Sequence, residues 1–486
     1  MFAGELSPIT AVLPEIGLLV LAVLVLAIDL AWKETARRHF GWLTAAGIVL
    51  VILISVLFAR PAAEPQLVWG GMLRMDGTTF VFRLLFLAGA ALTSLFVTQN
   101  RPLSLRGEFY ALMLVSTIGM SLMAAAADLV MLYLAIETTS IPLYLLSGFM
   151  VRDRRSVEAG IKYLLFGAMT SAVMLYGFSL LYGFGGTTQM YLLAERQLAG
   201  EVSPVALGVA LLMVLVGFGF KISAVPFHFW APDVYEGAPT AVAGFLSTAS
   251  KAAGFAVVLR VLTVVFAGQS EFWSIVIAVM SVSSMVVGNF LALAQKNLKR
   301  LLAYSSIAQA GYMLIGVAAN SASGSTAAVY YLMAYLFTNL AAFGIAAAIE
   351  NVTGSTNISE LRGLNQRSPV LSLALAVAML SLGGIPPFAG FFGKLVVFTA
   401  GIEADMVWLV LVGIVNAVVG LYYYLTVLRV AYQHQPAAAA GRPAAISRAW
   451  SVGLVVCIAG ILVMGFVLAP WYGLSAAASA GLNWLP

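Results

Sequence analysis

The sequence contains little charge, a single cysteine and few histidines. Asp, Glu, Lys and Arg make up 9% of its 486 residues, whereas an average soluble domain contains about 25%. The lone Cys457 can form neither an internal disulfide nor a thiolate cluster. Haem and iron–sulfur ligation need paired or clustered ligands, and His39, His228 and His434 are far apart in the sequence. We therefore expect no cofactor and no metal ion in this chain.

Apolar residues are abundant instead. They make up 62% of the chain, and runs of about 20 recur along it, each long enough to cross a hydrocarbon core of about 30 Å as a helix. The first run lacks the basic start and small-residue cleavage site of a signal peptide, so we interpret it as a genuine span. The pattern predicts an all-α polytopic membrane protein with about 14 transmembrane helices. These cover residues 9–31, 40–59, 76–98, 107–124, 128–150, 156–182, 204–229, 240–267, 273–294, 298–319, 326–349, 369–400, 406–432 and 449–472.

The basic residues are distributed unevenly among the predicted loops. Alternate loops place about fifteen of them, Arg442 included, on one side of the membrane and only Arg60, Arg74 and Arg196 on the other. By the positive-inside rule, the richer side is cytoplasmic. We therefore expect a bacterial inner-membrane protein with both termini on the non-cytoplasmic side and basic loops close to lipid headgroups.

Some basic residues fall inside predicted spans. They are Arg83, Lys162, Lys221, Lys251, Arg260, Lys394 and Arg429. Arginine stays protonated in proteins, whereas a desolvated lysine can release its proton near neutral pH. Long apolar flanks surround Lys221, Lys251 and Lys394, so we interpret them as members of a proton relay, with purely structural ion pairs as the alternative.

The other buried cations lie nearer to the ends of their spans. We expect Arg83, Arg260 and Arg429 to extend to the membrane interface, a behaviour called snorkelling. Snorkelling is also an alternative for Lys162. Glu158 precedes Lys162 by one helical turn and could form an ion pair with it on the same helix face.

Among the acidic residues, Glu137 lies deepest in a predicted span, within LVMLYLAIETTSIPLYLL. It is the natural counter-ion for a buried lysine. At about 1.5 Å per residue, Lys221 would lie in the cytoplasmic half of the membrane and Lys394 in the outer half. Glu137 and Lys251 would lie between them. The four side chains would form a ladder across the membrane.

Two spans contain residues that break helices. In GFGFKISAVPFHF, Pro226 follows Lys221, and in LSLGGIPPFAGFFGKLVVF a run of glycines and prolines precedes Lys394. This run contains Gly383, Gly384, Pro386 and Pro387. Backbone groups freed by such breaks are tolerated only where protein or water satisfies them. We interpret both as discontinuous helices beside a functional lysine, the alternative being kinks that only improve packing.

Paired breaks in corresponding places indicate an inverted repeat. Five spans separate the two breaks, so we predict two inverted five-helix repeats, spans 4–8 and 9–13, broken in spans 7 and 12. The predicted parts of the single membrane domain are three N-terminal spans (1–106), a first repeat (107–268), a second repeat (273–432) and a C-terminal span (449–486).

Several motifs resemble one family closely. GFGFKISAVPFHFWAPDVYEGAPTAVAGFLSTASKAAGFA, LYLAIETTSIPLYLL, QKNLKRLLAYSSIAQAGYML and GGIPPFAGFFGK are similar to the antiporter-like membrane subunit N of respiratory complex I, or NADH-quinone oxidoreductase, called subunit 2 in mitochondria and chloroplasts. The resemblance extends over nearly all predicted spans. Lys394 argues against the related subunit M, which carries a glutamate there.

The resemblance implies a proton-translocating subunit driven by quinone reduction in other subunits. It assigns Glu137 and Lys221 to a charge pair, Lys251 to a central relay position and Lys394 to the exit side, with Lys162 as a further family lysine. NADH, FMN, iron–sulfur clusters and quinone are expected in other subunits. The implied partners are the homologous subunit M, small membrane subunits such as K and J, and membrane lipids, with no nucleic acid.

Accessory positions have two interpretations. His228 belongs to the longest matching motif, although a histidine at a span end can equally be a hydrogen-bonded structural residue. Tyr304, Ser305, Ser306 and Gln309 fit a polar, water-lined helix face or a small-residue packing face.

Two other functions are compatible with this pattern. A stand-alone or Mrp-like cation/proton antiporter would also need buried lysines, but a sodium or potassium site would be expected to show several deep carboxylates. A scaffold that anchors partner subunits without conducting protons would not depend on Lys221 or Lys394.

Overall fold

The computed structural model describes residues 7–62, 64–434 and 446–482, so Arg442 lies outside the described residues. The chain there is almost entirely helical. We number its main helices α1 (Leu13–Ala31), α2 (Phe40–Phe58), α3 (Gly77–Val97), α4 (Gly107–Ala125), α5 (Leu129–Ser147), α6 (Arg154–Gly185), α7 (Pro204–Ile222), α8 (Trp230–Gly237), α9 (Thr240–Val264), α10 (Ser270–Leu293), α11 (Leu298–Ala318), α12 (Ala322–Thr353), α13 (Pro369–Gly383), α14 (Ala389–Glu403), α15 (Val407–Ala431), α16 (Arg448–Phe466) and α17 (Leu468–Ala480). Short helical segments connect them at Pro8–Ala11, Glu34–Arg37, Arg101–Ser104, Met190–Leu198, Ala267–Gln269, Ile358–Leu361 and Leu364–Arg367.

The predicted membrane spans are present. Within the described residues, 13 helices are long and apolar enough to cross a bilayer. The predicted span 369–400 is instead divided into two helices, α13 and α14, of 15 residues each. Together these two helices correspond to the fourteenth predicted span. The chain is therefore a multi-pass, all-α membrane protein, as its hydropathy predicts.

Both predicted breaks interrupt the helices. The α7 helix ends at Ser223, whose φ of 58° is left-handed, and α8 begins seven residues later. The α13 helix ends at Gly384 with φ 81°, and α14 begins at Ala389. In each case the residue at the helix end turns the chain sharply and leaves carbonyl groups of the last turn without helical partners.

The two five-span groups share local construction. Asp128 precedes α5 and forms an isolated β-bridge to Gln189, in the loop after α6. In the same way, Asn297 precedes α11 and forms one to Asn357, in the loop after α12. The helices before these loops, α6 and α12, are both 32 residues long and both end in a left-handed glycine. These correspondences support a repeat, whose inverted sense remains a prediction.

Hydropathy did not predict a small β-hairpin between α2 and α3. Its strands, β1 (Gln66–Val68) and β2 (Leu73–Met75), are antiparallel, with Gln66 opposite Met75. Strands this short carry too little periodicity to be recognised in sequence. The residue after β2, Asp76, caps α3 by accepting a hydrogen bond from the backbone N–H of Thr79 at 2.8 Å. The hairpin therefore delivers a carboxylate to the protein interior, where Asp76 is 2% exposed.

The expectation that Arg83 and Arg260 snorkel is wrong. Each is only 1% exposed. The Arg83 side chain forms an ion pair with Glu15 at 2.9 Å, and the Arg260 side chain forms one with Asp76 at 2.7 Å. Both acids come from distant sequence, so nothing near either arginine reveals the pair. Arg429 is exposed at the end of α15, as expected.

The core of the molecule is formed by α9, α11 and α12, which are almost entirely buried. The α9 helix contains one π-helical turn, Leu246–Ser250, directly before Lys251. Such turns widen a helix by one residue and occur often at functional sites. The buried lysine therefore lies at an irregular turn in the middle of the protein.

Candidate functional site

Lys221 lies in the last turn of α7, where the first break begins. It is 6% exposed, and its Nζ donates a hydrogen bond to Ser140 Oγ at 2.5 Å. Glu137 lies one turn before Ser140 on α5 and accepts a hydrogen bond from Ser171. Among the described residues no ion pair joins Lys221 to Glu137, although the two charges are within electrostatic reach. Lys221 is therefore held by Ser140, one helical turn from Glu137, and not by the Glu137 carboxylate.

Lys251 lies on α9 at the centre of the molecule. It is 1% exposed, and its Nζ donates to the carbonyl oxygen of Ser306 at 2.7 Å and to its Oγ at 3.0 Å. One turn further along α9, Gly254 packs against Lys221, and a Cβ there would lie 3.2 Å from the Lys221 Cβ. The α7 and α9 helices thus approach closely beside the two lysines.

Hydroxyl groups lie between the first break and Ser306. Tyr235, on α8, places its hydroxyl near those of Ser223 and Ser306, and Tyr335 approaches Ser306 from α12. The hydroxyls of Ser223, Tyr235 and Tyr335 have no hydrogen-bond partner among the described residues. Buried polar groups of this kind commonly bind ordered water. Water bound here would connect the end of α7 with the Lys251 partner.

Lys394 occupies the second break. Its Nζ donates to the carbonyl oxygens of Leu382 and Gly383, at 2.9 and 3.0 Å. These carbonyls lie in the last turn of α13, where the helix dipole is negative. The ammonium also lies 5.1 Å from the ring centre of Tyr312. The break therefore supplies the lysine with backbone acceptors.

A hydrogen-bonded network on α11 leads from Lys251 toward Lys394. Gln309 donates to the Leu382 carbonyl, which also accepts from Lys394, and to the Tyr424 hydroxyl, each at 3.1 Å. Tyr424 in turn is bonded to Ser305 at 2.5 Å, next to Ser306. Tyr331 donates to the Gln309 amide oxygen. The sequence suggested Ser305 and Gln309, but the tyrosines come from α12 and α15 and were missed.

Tyr304 and His228 do not join this network. Tyr304 is partly exposed, with its ring centre 5.9 Å from the Arg300 guanidinium. His228 is buried in the first break, with its ring centre 4.4 Å from that of Phe229 and the two rings tilted by 34°. Among the described residues no hydrogen bond joins His228 to the buried lysines.

Lys162 belongs to a cluster of charges on the side of the basic loops. Its Nζ lies 2.7 Å from Glu158, so the predicted pair forms, and also 2.7 Å from Asp233. Arg300 pairs with Asp233 at 2.8 Å and with Glu236 at 2.9 Å. Asp233 and Glu236 belong to the segment APDVYEGAP, which directly precedes α9.

A cavity of about 740 Å³ opens beside this cluster. Lys299 and Glu350 line it, with Lys299 Nζ 3.7 Å from the carboxylate and 2.7 Å from the Ala238 carbonyl oxygen. Glu350 also accepts a hydrogen bond from Thr240, the first residue of α9. The cavity therefore reaches the helix that carries Lys251.

A second polar pair lies further along α9. Ser247 lies one turn before Lys251 and accepts a hydrogen bond from the Asn339 side-chain nitrogen at 2.7 Å. The Asn339 side-chain oxygen is buried and has no partner among the described residues. Polar groups thus follow α9 from the cavity to the central lysine.

Comparison with known proteins identifies the family. A profile described as NADH:quinone oxidoreductase/Mrp antiporter, transmembrane, matches residues 126–420. NAD(P)H-quinone oxidoreductase subunit 2 of Trichormus variabilis is 44% identical over 432 residues, covering 87% of this chain and 82% of the relative. The same subunit of Synechococcus elongatus is 41% identical over 496 residues, covering 99% of this chain and 94% of the relative.

A solved structure supports the same assignment. A chain of respiratory complex I from Thermus thermophilus with bound aureothin aligns with a TM-score of 0.80 and 33% identity, covering 95% of this chain and 99% of that chain. The resemblance carried by the sequence motifs is therefore confirmed. The chain belongs to the NADH:quinone oxidoreductase/Mrp antiporter family, as an antiporter-like membrane subunit of the complex I type.

Proposed function

We propose that the chain translocates protons as a membrane subunit of NADH:quinone oxidoreductase and performs no redox chemistry itself. The observation that carries this proposal is the chain of polar groups that links Lys251 to Lys394 through α11. Neither lysine contacts a carboxylate among the described residues. A lysine surrounded only by neutral acceptors can be switched between its charged and neutral forms by a small change in its surroundings.

The arrangement favours a particular order of proton movement. A proton enters from the 740 Å³ cavity beside Glu350 and reaches Lys251 along the polar side of α9. It passes along the Gln309 network to Lys394, which releases it on the opposite side. Lys221 acts as the control element, because its charge lies within reach of Glu137 and its Cβ packs against Gly254, one turn from Lys251.

The energy required is moderate. Moving one charge across a potential of 100 mV costs about 2.3 kcal/mol. Changing the charge state of a residue near a buried lysine shifts the free energy of lysine protonation by a comparable amount, since one pKa unit equals about 1.4 kcal/mol. A charge displacement at Glu137 or Lys221 can therefore drive the transfer.

The proposal includes orientation and partners. The basic loops, and the cavity with them, face the cytoplasm of a bacterial inner membrane, and both termini lie on the other side. The two repeats, 107–268 and 273–432, each contribute one broken helix. Quinone reduction in other subunits supplies the energy, and subunits such as M, K and J are neighbours. NADH, FMN and iron–sulfur clusters bind elsewhere in the complex.

Variants of the charge pair test this function. Lys221→Met and Glu137→Gln are introduced singly into the assembled complex, with the exposed Lys33→Met as a matched control. NADH oxidation and proton uptake into vesicles are measured separately. We expect both site variants to slow proton uptake and the control to behave as wild type.

Full proton uptake in both site variants would contradict the relay and favour a scaffold. A Mrp-like cation/proton antiporter, the other branch named by the family profile, is tested with the isolated chain. Sodium-driven proton movement in liposomes that contain this chain alone would favour that function.

A further inference from the structure

A second cavity lies away from the lysine relay, on the membrane side that carries the basic loops. It has a volume of about 770 Å³ and lies where α2 begins, α3 ends and α16 begins. The basic side chains that line it are Arg38, His39, Arg101 and Arg448. No aspartate or glutamate is among its described lining residues. The cavity is therefore strongly positive.

The backbone around this basic cavity is held in place by hydrogen bonds between distant segments. Ser447, which caps α16, is bonded to the Thr98 hydroxyl at 2.8 Å, and its backbone N–H donates to the Gln99 side chain at 3.1 Å. These bonds fix the start of α16 against the end of α3. The segments that carry Arg101 and Arg448 are thus positioned before any ligand binds.

Two of the basic side chains that line the cavity have no acidic partner among the described residues. Arg101 and Arg448 are both exposed, and neither forms an ion pair with a described residue. They therefore attract an anion at little cost, because no existing pair must be broken. Guanidinium groups recognise phosphate particularly well through paired N–H donors.

Apolar surface continues from the cavity toward the membrane interior. Trp42 on α2 lines the cavity and is 41% exposed. Further along, the outward side chains include Val49 and Leu53 on α2 and Val455 on α16, all at least half exposed. Beneath the cavity, Ala449 packs with residues of α2 and α3 in a small buried cluster. The site is thus positive at one end and apolar at the other.

We propose that this basic cavity binds the phosphate headgroup of an anionic phospholipid, whose acyl chains lie along the exposed faces of α2 and α16. Basic pockets between transmembrane helices on the cytoplasmic side favour such lipids. A free phosphate ion would use the arginines but not the apolar faces. The amphipathic construction therefore selects a lipid.

Crosslinking inside the cavity tests the proposal. A photoreactive amino acid replaces Leu105, a lining residue, in the complete complex within its native membrane. After illumination, the adducts on this chain are identified by mass spectrometry. We expect an anionic phospholipid adduct, and expect added phosphatidylglycerol to compete for it while phosphatidylcholine and inorganic phosphate do not.

Variants that remove basic residues provide a second part of the crosslinking experiment. In the Arg101→Gln/Arg448→Gln variant, we expect phosphatidylglycerol to bind about 30-fold more weakly, since each basic residue near a lipid surface contributes about fivefold. The Arg154→Gln/Arg429→Gln variant removes two exposed arginines elsewhere and is expected to retain the adduct. Equal competition by inorganic phosphate, a peptide adduct from another subunit, or an unchanged adduct in the Arg101/Arg448 variant would overturn the proposal.

Discussion

At the scale of single residues, partners determine what each buried charge can do. Arg83 and Arg260 each form an ion pair with a buried acid, so we assign them a structural role. Lys251 and Lys394 are bonded only to carbonyl and hydroxyl oxygens among the described residues, which fits the proton transfer that we propose for them. The sequence shows whether a buried basic residue is a lysine or an arginine, but it does not show which residues that side chain contacts.

Replacing Arg83 tests the structural assignment. Arg83→Met leaves Glu15 buried without its cation, and we expect a loss of about 3–5 kcal/mol in stability. The Arg83→Met/Glu15→Met variant, which removes both charges, should recover most of this loss. Thermal unfolding of the purified complex measures both. If the single and double variants unfold alike, the ion pair does not carry the stability.

Gly384 is a second residue with a specific requirement. Its φ is 81°, and a Cβ would lie 2.9 Å from the Lys394 Cδ. We expect Gly384→Ala to cost about 1–2 kcal/mol in backbone strain and to displace Lys394 from the α13 carbonyls, so that proton uptake falls. Gly183→Ala is the control, because a Cβ there meets nothing within 4 Å. Normal proton uptake in Gly384→Ala would show that the lysine geometry is unimportant.

At the scale of elements, the breaks and the buried α9 helix define the proton path that we propose. Glycine and proline predicted both breaks because their backbone effects are local. Tyr331 and Tyr424 could not be assigned to the path in this way, since their contacts join α12 and α15 to α11. The Glu15 and Asp76 pairings were missed for the same reason, because they join distant segments. The β-hairpin was missed because its strands are too short to show periodicity.

The start of α9 provides a test at this scale. Thr240 donates a hydrogen bond to Glu350 at the cavity, and Thr240→Val removes only the hydroxyl. We expect proton uptake to slow by about tenfold, the effect of about 1.4 kcal/mol for a hydrogen bond to a charged group. Thr93→Val is a matched control, because its hydroxyl donates only to a carbonyl of its own helix. Equal uptake rates in the two variants would exclude entry beside Thr240.

At the scale of the whole molecule, each five-span group contributes one broken helix, and the hydrogen-bonded groups on α11 lead to the second break at Lys394. Hydropathy predicted the spans and their number because membrane thickness dictates helix length. The repeat was inferred from Gly and Pro positions, and the matching loops after α6 and α12 support it. Residue depth along the spans already placed Lys251 near the middle of the membrane, whereas its hydrogen bonds to Ser306 of α11 emerged only from packing.

The most direct measurement is the number of protons taken up per NADH oxidised by vesicles that contain the Lys251→Met complex. Lys33→Met, which changes an exposed lysine in a basic loop, is the control. The relay predicts that the ratio falls in Lys251→Met and is unchanged in Lys33→Met. An unchanged ratio in Lys251→Met, with normal NADH oxidation, would contradict proton transfer through the centre of this chain.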